Sequence, residues 1–298
     1  MKRSAAVILC LAAAICLLCS CRDIGAASGF DASKSITVIS REEGSGTRNA
    51  FVELTGILER DADGNKTDNT YPEAQVIDAT QTVISTVIGN PYSIGYISLG
   101  SLNNTVKAVK IGGVPPAADT VGDGSYILSR PFNIAVRDDL SETARDFIGF
   151  ILSTEGQAVV AGEGYASVSG MSAYSTSKPS GRAVVAGSSS VAPVMEKLKE
   201  AYLLINPYAE IEVQATDSSS GLSAAAAGIC DIGMASRELK ASEAAVLTPV
   251  RIAMDGIAVI VSNSNPVENL TLGQIRDIFT GAVTLWNEVS AESPETSR

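Results

Sequence analysis

The sequence predicts an α/β protein whose sheets are mostly parallel and are flanked by helices. Short apolar runs typical of buried strands alternate along the chain with longer segments whose apolar residues recur at helical spacing. The chain has 298 residues, of which 45% are hydrophobic and 18% charged. This length and composition are typical of a folded protein with room for two lobes, each with its own core.

The first part of the chain, residues 36–166, alternates between the two element types. Strands are predicted at 36–39, 94–97, 106–111 and 132–136, and helices at 82–88, at 141–152 and around Phe51, Leu54 and Leu58. Residues 61–71 are polar and carry Gly and Asn, so a loop is predicted there.

The second part, residues 183–290, follows a linker. Residues 167–182 are rich in Ser, Gly and Thr and contain Pro179, a composition typical of linkers. Strands are then predicted at 183–186, 211–213, 231–235 and 257–261, and helices at 191–204, 220–227 and 270–279. Trp286 is expected in the core, and residues 291–298 form a tail.

The first 21 residues have the layout of a secretory signal peptide. Lys2 and Arg3 precede an apolar run at 5–18, which is shorter than the roughly 20 residues that a membrane-spanning helix needs. The run ends in Leu-Cys-Ser-Cys, which resembles the lipobox of bacterial lipoproteins. Cys21 is the better candidate for lipidation because polar residues follow it. We therefore expect a lipid anchor on the extracytoplasmic face of the membrane, with residues 22–35 as a spacer; the alternative is an ordinary signal peptide.

Composition disfavours several classes of function. The chain has no histidine, which removes the commonest general base and zinc ligand and disfavours an enzyme. The net charge of −11 argues against nucleic acid as a partner. Neither a Walker-type phosphate loop nor a dinucleotide fingerprint is present, so we expect no cofactor and no metal. Cys230 is the one cysteine outside the N-terminal segment, which excludes an internal disulfide in the folded part.

Three segments place a small, hydroxyl-rich turn between a strand and a helix. They are residues 44–47, 187–190 and 217–221. A helix N-terminus exposes unpaired N–H groups and a partial positive charge, so each turn is a potential anion site, although Ser and Thr there are also ordinary N-caps. Arg41 precedes the first turn and is a candidate for bidentate pairing with an oxyanion, held in place by Glu42 or Glu43. Glu43 and Asp217 are candidate acceptors for the proton that phosphate retains at neutral pH and sulfate lacks.

Long stretches of the chain resemble the phosphate-binding proteins of ABC transporters in Gram-positive bacteria. The stretches are ITVISREEGSGTRNAF at 36–51, IGYISL at 94–99, SRPFNIAV at 129–136, FIGFILSTEGQAVV at 147–160, GSSSVAPVMEKL at 187–198, DIGMASREL at 231–239 and MDGIAVIVSNSNPVENLTLGQIRDIFTG at 254–281. The resemblance implies a two-lobed, periplasmic-binding-protein-like fold of type II. It also implies a monomeric, non-enzymatic lipoprotein that captures phosphate and delivers it to a membrane permease.

The family's site residues carry over by motif. The resemblance places Arg41, Ser45, Gly46, Thr47, Ser190, the Val191 N–H, Ser218 and Ser236 on phosphate. Two positions depart from the family pattern: Asp217 stands where the family has a glycine, and Ala235-Ser236-Arg237 stands where it has an aspartate that accepts the phosphate proton. A sulfate or molybdate carrier, a phosphate-sensing surface lipoprotein and a hydrolase are the alternative functions.

The two halves stand in the reverse of the family order, because the 36–166 segment precedes the 183–290 segment here. A circular permutation and a fragment of a tandem array both explain this order. If the halves pair within one chain, residues 132–255 form one lobe, and residues 36–128 and 256–290 form the other. The hinge strands then lie near Phe132 and Ile257.

Overall fold

The computed structural model describes residues 29–60, 65–168 and 172–289. The strands are β1 (Thr37–Arg41), β2 (Leu58–Arg60), β3 (Lys66–Asp68), β4 (Gln75–Ile77), β5 (Ser93–Ser98), β6 (Val106–Ala108), β7 (Lys110–Ile111), β8 (Ser129–Val136), β9 (Ala166–Ser167), β10 (Gly181–Ser188), β11 (Ala209–Thr216), β12 (Ile232–Ala235), β13 (Thr248–Ser262) and β14 (Asn269–Leu270). The predicted signal peptide, Cys21 and the tail lie outside the described residues.

Helices follow most of these strands. They are α1 (Gly46–Leu54), α2 (Thr80–Gly89), α3 (Ala118–Gly122), α4 (Glu142–Ile151), α5 (Thr154–Gly162), α6 (Ala192–Ile205), α7 (Ser218–Ala226), α8 (Ala241–Ala244) and α9 (Leu272–Thr280). Within the ranges that the structure describes, no helix combines the length and apolar character needed to cross a membrane.

The main sheet follows the strand order β11-β10-β12-β8-β13-β5-β1-β4. Its outer pairs, β10 with β11 and β12 and β1 with β4 and β5, are parallel. Its middle pairs, β8 with β12 and β13 and β13 with β5, are antiparallel. The fold is therefore α/β as predicted, but the expectation of mostly parallel sheets is wrong for the middle of the sheet.

Strand β13 joins two parts of the sheet that have separate cores. Its residues up to Gly256 pair with β8, and those from Ile257 onward pair with β5. One core cluster draws its buried residues from Phe132 to Ala253, and another combines residues between Ile39 and Val106 with two from the second half of β13. The strand changes partner at Ile257, near which one hinge strand is expected from the resemblance; a hinge motion there stays a prediction.

Several elements differ from the sequence-based expectation. Helix α1 ends at Leu54, and Leu58 instead opens β2, which pairs with β3 inside the predicted 61–71 loop region. The first half of β13, residues 248–256, was not predicted as a strand, and neither was α5 predicted as a helix. Trp286 is 4% exposed and lies in the core, as expected.

The two ends of the folded part lie side by side. The N–H of Ile36 donates to the Thr284 carbonyl at 2.8 Å, and the N–H of Asn287 donates to the Ala32 carbonyl at 2.7 Å. The residues just before β1 therefore run next to the segment that contains Trp286. Residues 32–36 and 284–287 both belong to the part of the protein that holds β1 and β5.

Residues 172–180 of the predicted linker pack on α4 and α6, in the part of the protein that holds β8. Tyr174 and Thr176 each donate a hydroxyl hydrogen bond to Asp146 Oδ2, at 2.7 and 2.9 Å. Tyr202 of α6 donates to the same oxygen at 2.8 Å. One carboxylate on α4 thus connects the linker to the helices on either side of it.

Gly221 allows α7 to lie directly on β10, and its replacement by alanine tests this contact. A methyl group at position 221 would overlap the Cα of Gly187 and the carbonyl of Ala186. We expect Gly221→Ala to lower the free energy of unfolding by about 1–3 kcal/mol, because close-packed backbones cannot yield to an added methyl.

Gly149→Ala in α4 is the matched control, since no atom lies within 4 Å of the position of its added Cβ. We expect Gly149→Ala to raise the free energy of unfolding by about 0.5–1 kcal/mol, because alanine has a higher helix propensity than glycine. Urea denaturation of both variants measures the two effects. Equal stability changes would contradict the close contact between α7 and β10.

Candidate functional site

Five buried hydroxyl side chains from both halves of the chain meet in one place, and we call them the hydroxyl cluster. Its members are Thr47, Ser188, Ser190, Ser218 and Ser236, each at most 3% exposed. The Oγ atoms of Thr47 and Ser190 are 2.7 Å apart, and Ser188 Oγ donates to Ser236 Oγ at 2.9 Å. The N–H of Ser236 donates to Ser218 Oγ at 3.2 Å. Residues 36–166 and 183–290 therefore contribute to the same cluster.

The cluster lies where three helices begin. Thr47 and Ser218 are in the first turns of α1 and α7, and Ser190 lies two residues before α6. Gly46 permits the approach of α1, because a methyl group there would overlap Ser218 Oγ and Ser236 Oγ. Three helix N-termini thus direct their partial positive charges toward one small volume.

Local packing fixes the start of α1. Ser45 is its N-cap and accepts a hydrogen bond from the N–H of Arg48 at 3.2 Å, as a capping serine should. Below the helix, the rings of Phe51 and Tyr96 stack with centroids 4.0 Å apart. The Tyr96 hydroxyl accepts from the N–H of Arg41 at 3.1 Å, which ties the end of β1 to the same aromatic group.

Arg41 is 2% exposed, and its guanidinium is held on several sides. Its Nε and Nη2 donate to the two carboxylate oxygens of Glu42 at 2.8 and 2.9 Å, which is a bidentate pair. Glu43 is exposed and makes no hydrogen bond or ion pair with the described residues. The carboxylate that pairs with Arg41 in this structure is Glu42 rather than Glu43, because Glu42 is the residue whose side chain reaches the guanidinium at the end of β1. A supporting role for Glu43 stays a prediction.

Two further hydroxyls bind the same guanidinium. Nη1 of Arg41 donates to Thr80 Oγ1 at 3.2 Å, and Nη2 donates to Ser189 Oγ at 3.2 Å. Ser189 belongs to the turn that also supplies Ser188 and Ser190. The arginine of the first half of the chain is thus in direct contact with the hydroxyl-rich turn of the second half.

Asp217 caps α7. Its Oδ1 accepts the N–H groups of Ser219 and Ser220 at 2.8 and 2.9 Å, and its Oδ2 accepts the Ser220 hydroxyl. Burial by itself raises the pKa of Asp217, but these hydrogen bonds outweigh it and hold the pKa below its ordinary value. The carboxylate is therefore already bound at neutral pH, which opposes the predicted role as a proton acceptor for a ligand.

The Val191 N–H is also already bound. It donates to the Ser188 carbonyl at 3.0 Å, closing the turn that precedes α6. The backbone group predicted to bind a ligand thus serves the turn in this structure. Of the residues predicted from sequence, the structure brings together Arg41, Ser45, Gly46, Thr47, Ser190, Ser218 and Ser236.

Sequence reasoning did not single out four of the residues that complete the site. Ser188 and Ser189 lie in the hydroxyl-rich turn at residues 187–190, so the sequence motif already included them. Thr80 is the first residue of α2 and carries no motif. Arg237 donates from Nη2 to Ser219 Oγ at 3.3 Å, next to the cluster, and forms a bidentate pair with Glu243. In the sequence, the only indication of a role for Arg237 is that it directly follows Ser236, a predicted site residue.

A second buried arginine lies at the junction of the two cores. Nε and Nη2 of Arg130 donate to Asp255 Oδ2 at 3.1 and 2.9 Å, and both side chains are at most 1% exposed. Burial raises the pKa of Asp255 to about 6, against the lowering influence of Arg130. Ser98 and the N–H of Leu99 donate to the other oxygen of this carboxylate.

This arrangement is suited to binding an oxyanion. Hydroxyl groups, helix N-termini and a fixed guanidinium all offer donors or positive potential, and Glu42 holds the arginine rigid. Thr47 bonds to Ser190 at 2.7 Å and Ser188 to Ser236 at 2.9 Å in this structure. Each of these hydroxyls can exchange that bond for one to a ligand oxygen.

Comparison with known proteins shows which proteins the chain is similar to. The family model described as a PBP superfamily domain matches residues 26–155 and 172–297, and only residues 167–171 of the predicted linker fall between the two matches. The chain is 47% identical over 258 residues to the phosphate-binding protein PstS 2 of Streptococcus agalactiae serotype V, covering 86% of this chain and 88% of that protein. It is 46% identical over 273 residues to the protein of the same name from Streptococcus pneumoniae serotype 4, covering 91% and 94%.

A solved structure is also similar. The phosphate-binding protein of a phosphate ABC transporter from Streptococcus pneumoniae TIGR4 superposes with a TM-score of 0.69 at 46% identity, covering 86% of this chain and 100% of that one. The α/β fold and the resemblance to phosphate-binding proteins are thereby confirmed.

Asp217 offers a test of the site's local structure. Replacement by alanine removes the N-cap of α7, so we expect Asp217→Ala to lower the free energy of unfolding by about 1 kcal/mol. Asp217→Asn keeps the capping oxygen and should lower the free energy of unfolding by only about a few tenths of a kcal/mol, because asparagine is an equally good N-cap.

The pH dependence separates charge from shape. The pKa of Asp217 is lowered on folding, so the stability that its charge contributes is present at neutral pH and is lost as pH falls through the acidic range. Thermal unfolding of the wild type and Asp217→Asn at neutral and acidic pH measures this. The stability difference between the two should shrink in acid; a difference independent of pH would contradict the capping charge.

Proposed function

The chain belongs to the PBP superfamily, and from that premise we propose that it captures inorganic phosphate between its two parts and delivers the ion to an ABC transporter permease. The observation that carries this proposal is the convergence of three helix N-termini, five hydroxyl groups and the fixed guanidinium of Arg41. Its relatives at 46–47% identity are named phosphate-binding proteins.

The donor set favours a small tetrahedral oxyanion. Hydroxyls and backbone N–H groups surround the site from three directions, which matches an ion whose four oxygens point toward the corners of a tetrahedron. The ligand would replace the contact between Thr47 and Ser190, which come from different halves of the chain. Binding would therefore favour the closed arrangement, as in other two-lobed carriers.

We propose a carrier rather than an enzyme, acting as a monomer. The similar Streptococcus agalactiae protein is named a phosphate-binding protein, and the similar solved structure is named the phosphate-binding protein of a phosphate ABC transporter. The hydroxyl cluster contains no histidine, because the chain has none, and its hydroxyls bond to one another or to backbone groups rather than to a general base.

We further propose that the two halves are a circular permutation of the family order and form one complete site. The relatives at 46–47% identity align with this chain over 88–94% of their own length, so they share its order of halves, which disfavours a fragment of a tandem array. The hydrogen bonds between the segments around Ile36 and Trp286 support a chain break at this point. The packing of residues 172–180 on α4 and α6 supports a linker that joins former chain ends.

Sulfate or molybdate is the second candidate ligand. Asp217 already accepts three donors, and the stretch Ala235-Ser236-Arg237 has no aspartate where the family pattern has one. A free carboxylate would accept a hydrogen bond from the proton of phosphate and would repel sulfate, which has no proton. A site without such a carboxylate discriminates less between the two ions. A weak preference between the two ions would favour this second candidate.

Thr47→Val tests the site directly. The change keeps the side-chain shape and removes one hydroxyl, so phosphate affinity should fall about tenfold, with one ion bound per chain in the wild type. Isothermal titration calorimetry with phosphate and with sulfate at neutral pH measures both affinities.

The control is Thr86→Val, because the Thr86 hydroxyl bonds only to the Thr82 carbonyl of its own helix. Its phosphate affinity should match that of the wild type. Tighter binding of sulfate than of phosphate would refute the phosphate assignment, and one phosphate bound per two chains would refute the single-chain site.

The proposed lipid anchor has its own test. Cys21→Ser removes the thiol that would carry the lipid, so the protein should move from the detergent phase to the aqueous phase in Triton X-114 partitioning of expressing cells. Cys19→Ser is the matched control and should remain in the detergent phase. Equal partitioning of the two variants would contradict anchoring at Cys21.

A further inference from the structure

Ser188 and Ser236 lie at the same edge of the main sheet. Strands β10 and β12 are parallel neighbours, with Gly187 opposite Met234. Ser188 is the last residue of β10, and Ser236 directly follows β12, so both lie at the carboxyl ends of adjacent strands. Both side chains are at most 3% exposed. The backbone of two paired strands therefore fixes the position of one hydroxyl group relative to the other.

The hydroxyl proton of Ser188 is committed to Ser236. Oγ of Ser188 accepts the N–H of Ser190 at 3.2 Å and donates to Ser236 Oγ at 2.9 Å. A serine hydroxyl has a single proton, so Ser188 has no second one to donate to a ligand while this bond is kept. Ser188 then acts on a ligand only through Ser236.

Ser218 and Ser236 remain as donors. Oγ of Ser236 accepts from Ser188, and Oγ of Ser218 accepts from the N–H of Ser236 at 3.2 Å. Neither hydroxyl donates its own proton to another described residue. Both oxygens border the Cα of Gly46 at the start of α1. An oxygen that accepts a hydrogen bond is a stronger donor, because bonds in a chain polarise one another. Two polarised hydroxyl protons are thus available to one anion beside Gly46.

The charged groups around the hydroxyl cluster are paired, and the cluster itself contains no carboxylate. Asp217 caps α7, Glu42 pairs with Arg41, and Glu243 pairs with Arg237. Burial raises the pKa values of Asp217 and Glu243, but their hydrogen bonds outweigh it and hold both below their ordinary values. These two carboxylates therefore stay charged and bound in mild acid and do not accept a proton from a ligand.

We propose that Ser188 is a positioning residue that fixes Ser236 as a hydrogen-bond donor, so that the site binds the dianion of phosphate in preference to the monoanion. This inference rests on the proposed binding of phosphate at the hydroxyl cluster. A protonated ligand oxygen would direct its hydrogen against the protons of Ser218 and Ser236, whereas a deprotonated oxygen accepts from both. Ser188 thereby favours the more deprotonated form without contacting the ligand.

Ser188→Ala tests this role, because it frees Ser236 to accept a hydrogen bond from a ligand as well as to donate one. Titration calorimetry of the full chain measures phosphate affinity at pH about 5 and pH about 8, on either side of the second ionisation of a phosphate group. Sulfate has no proton to lose in this range and serves as the internal reference. The reference also accounts for titration of Asp255, whose pKa burial raises to about 6 and which pairs with Arg130 outside the cluster.

In the wild type, phosphate affinity relative to sulfate should fall at least about tenfold from the higher to the lower pH, because the monoanion offers fewer deprotonated oxygens to fixed donors. In Ser188→Ala the fall should be less than about threefold, since Ser236 can then accept the proton of the monoanion. Ser85→Ala is the control, because the exposed Ser85 hydroxyl bonds only to the Gln81 carbonyl of α2. It should behave as the wild type does.

Ser236→Ala separates positioning from direct binding. If Ser188 acts only through Ser236, Ser188→Ala should not change the ratio of phosphate to sulfate affinity any further in the Ser236→Ala background. A wild-type ratio that is independent of pH, a ratio that Ser188→Ala leaves unchanged, or a further change in the double variant would overturn the positioning role. Binding of sulfate without phosphate would instead refute the phosphate assignment and support a site made of donors, so the two failures are distinguishable.

Discussion

Three helix N-termini and a buried guanidinium point at one volume, and this concentration of like-signed charge constrains the rest of the site. The partial charges at the starts of α1, α6 and α7 repel one another unless electron-rich atoms lie between them. In the structure, hydroxyl oxygens supply those atoms, and Glu42 neutralises Arg41. Only small side chains permit the approach, which explains a glycine at position 46. An oxyanion supplies more negative charge than any hydroxyl, so this geometry favours a bound oxyanion.

Strand β13 connects the two parts of the protein that supply the site. Because β13 is continuous across both cores, the two parts are joined by a strand that changes partners at Ile257 rather than by a flexible loop. The Arg130–Asp255 pair lies at this junction and is fully buried, with Ser98 and the N–H of Leu99 completing the carboxylate's bonds. This buried ion pair fixes the place where β13 passes from one core to the other.

The sequence indicated the helix starts of the site better than the connections between strands. The turns before α1, α6 and α7 were recognisable because each combines small hydroxyl residues with a following apolar stripe, a purely local signal. The first half of β13 was missed because its strand character depends on pairing with β8, which is distant in sequence. Glu42 and Glu43 are adjacent, and only the direction of the chain at the end of β1 decides which carboxylate faces Arg41. The hydrogen bond from Ser188 to Ser236 has no sequence signature, since it exists only through the pairing of β10 with β12.

The net charge of −11 bears on how such a site selects its ligand. At long range the protein repels anions, so attraction must come from groups within a few ångströms, below the Debye length of about 8 Å at physiological salt. Backbone N–H groups, hydroxyls and an arginine paired with its own carboxylate act over that short range only. An anion therefore gains free energy when its oxygens fit the donor positions and gains little from charge alone. Because the net charge of the protein repels anions, the ligand is selected by the fit of its oxygens to the local donors. The local donor geometry therefore predicts an oxyanion ligand, although the total charge does not.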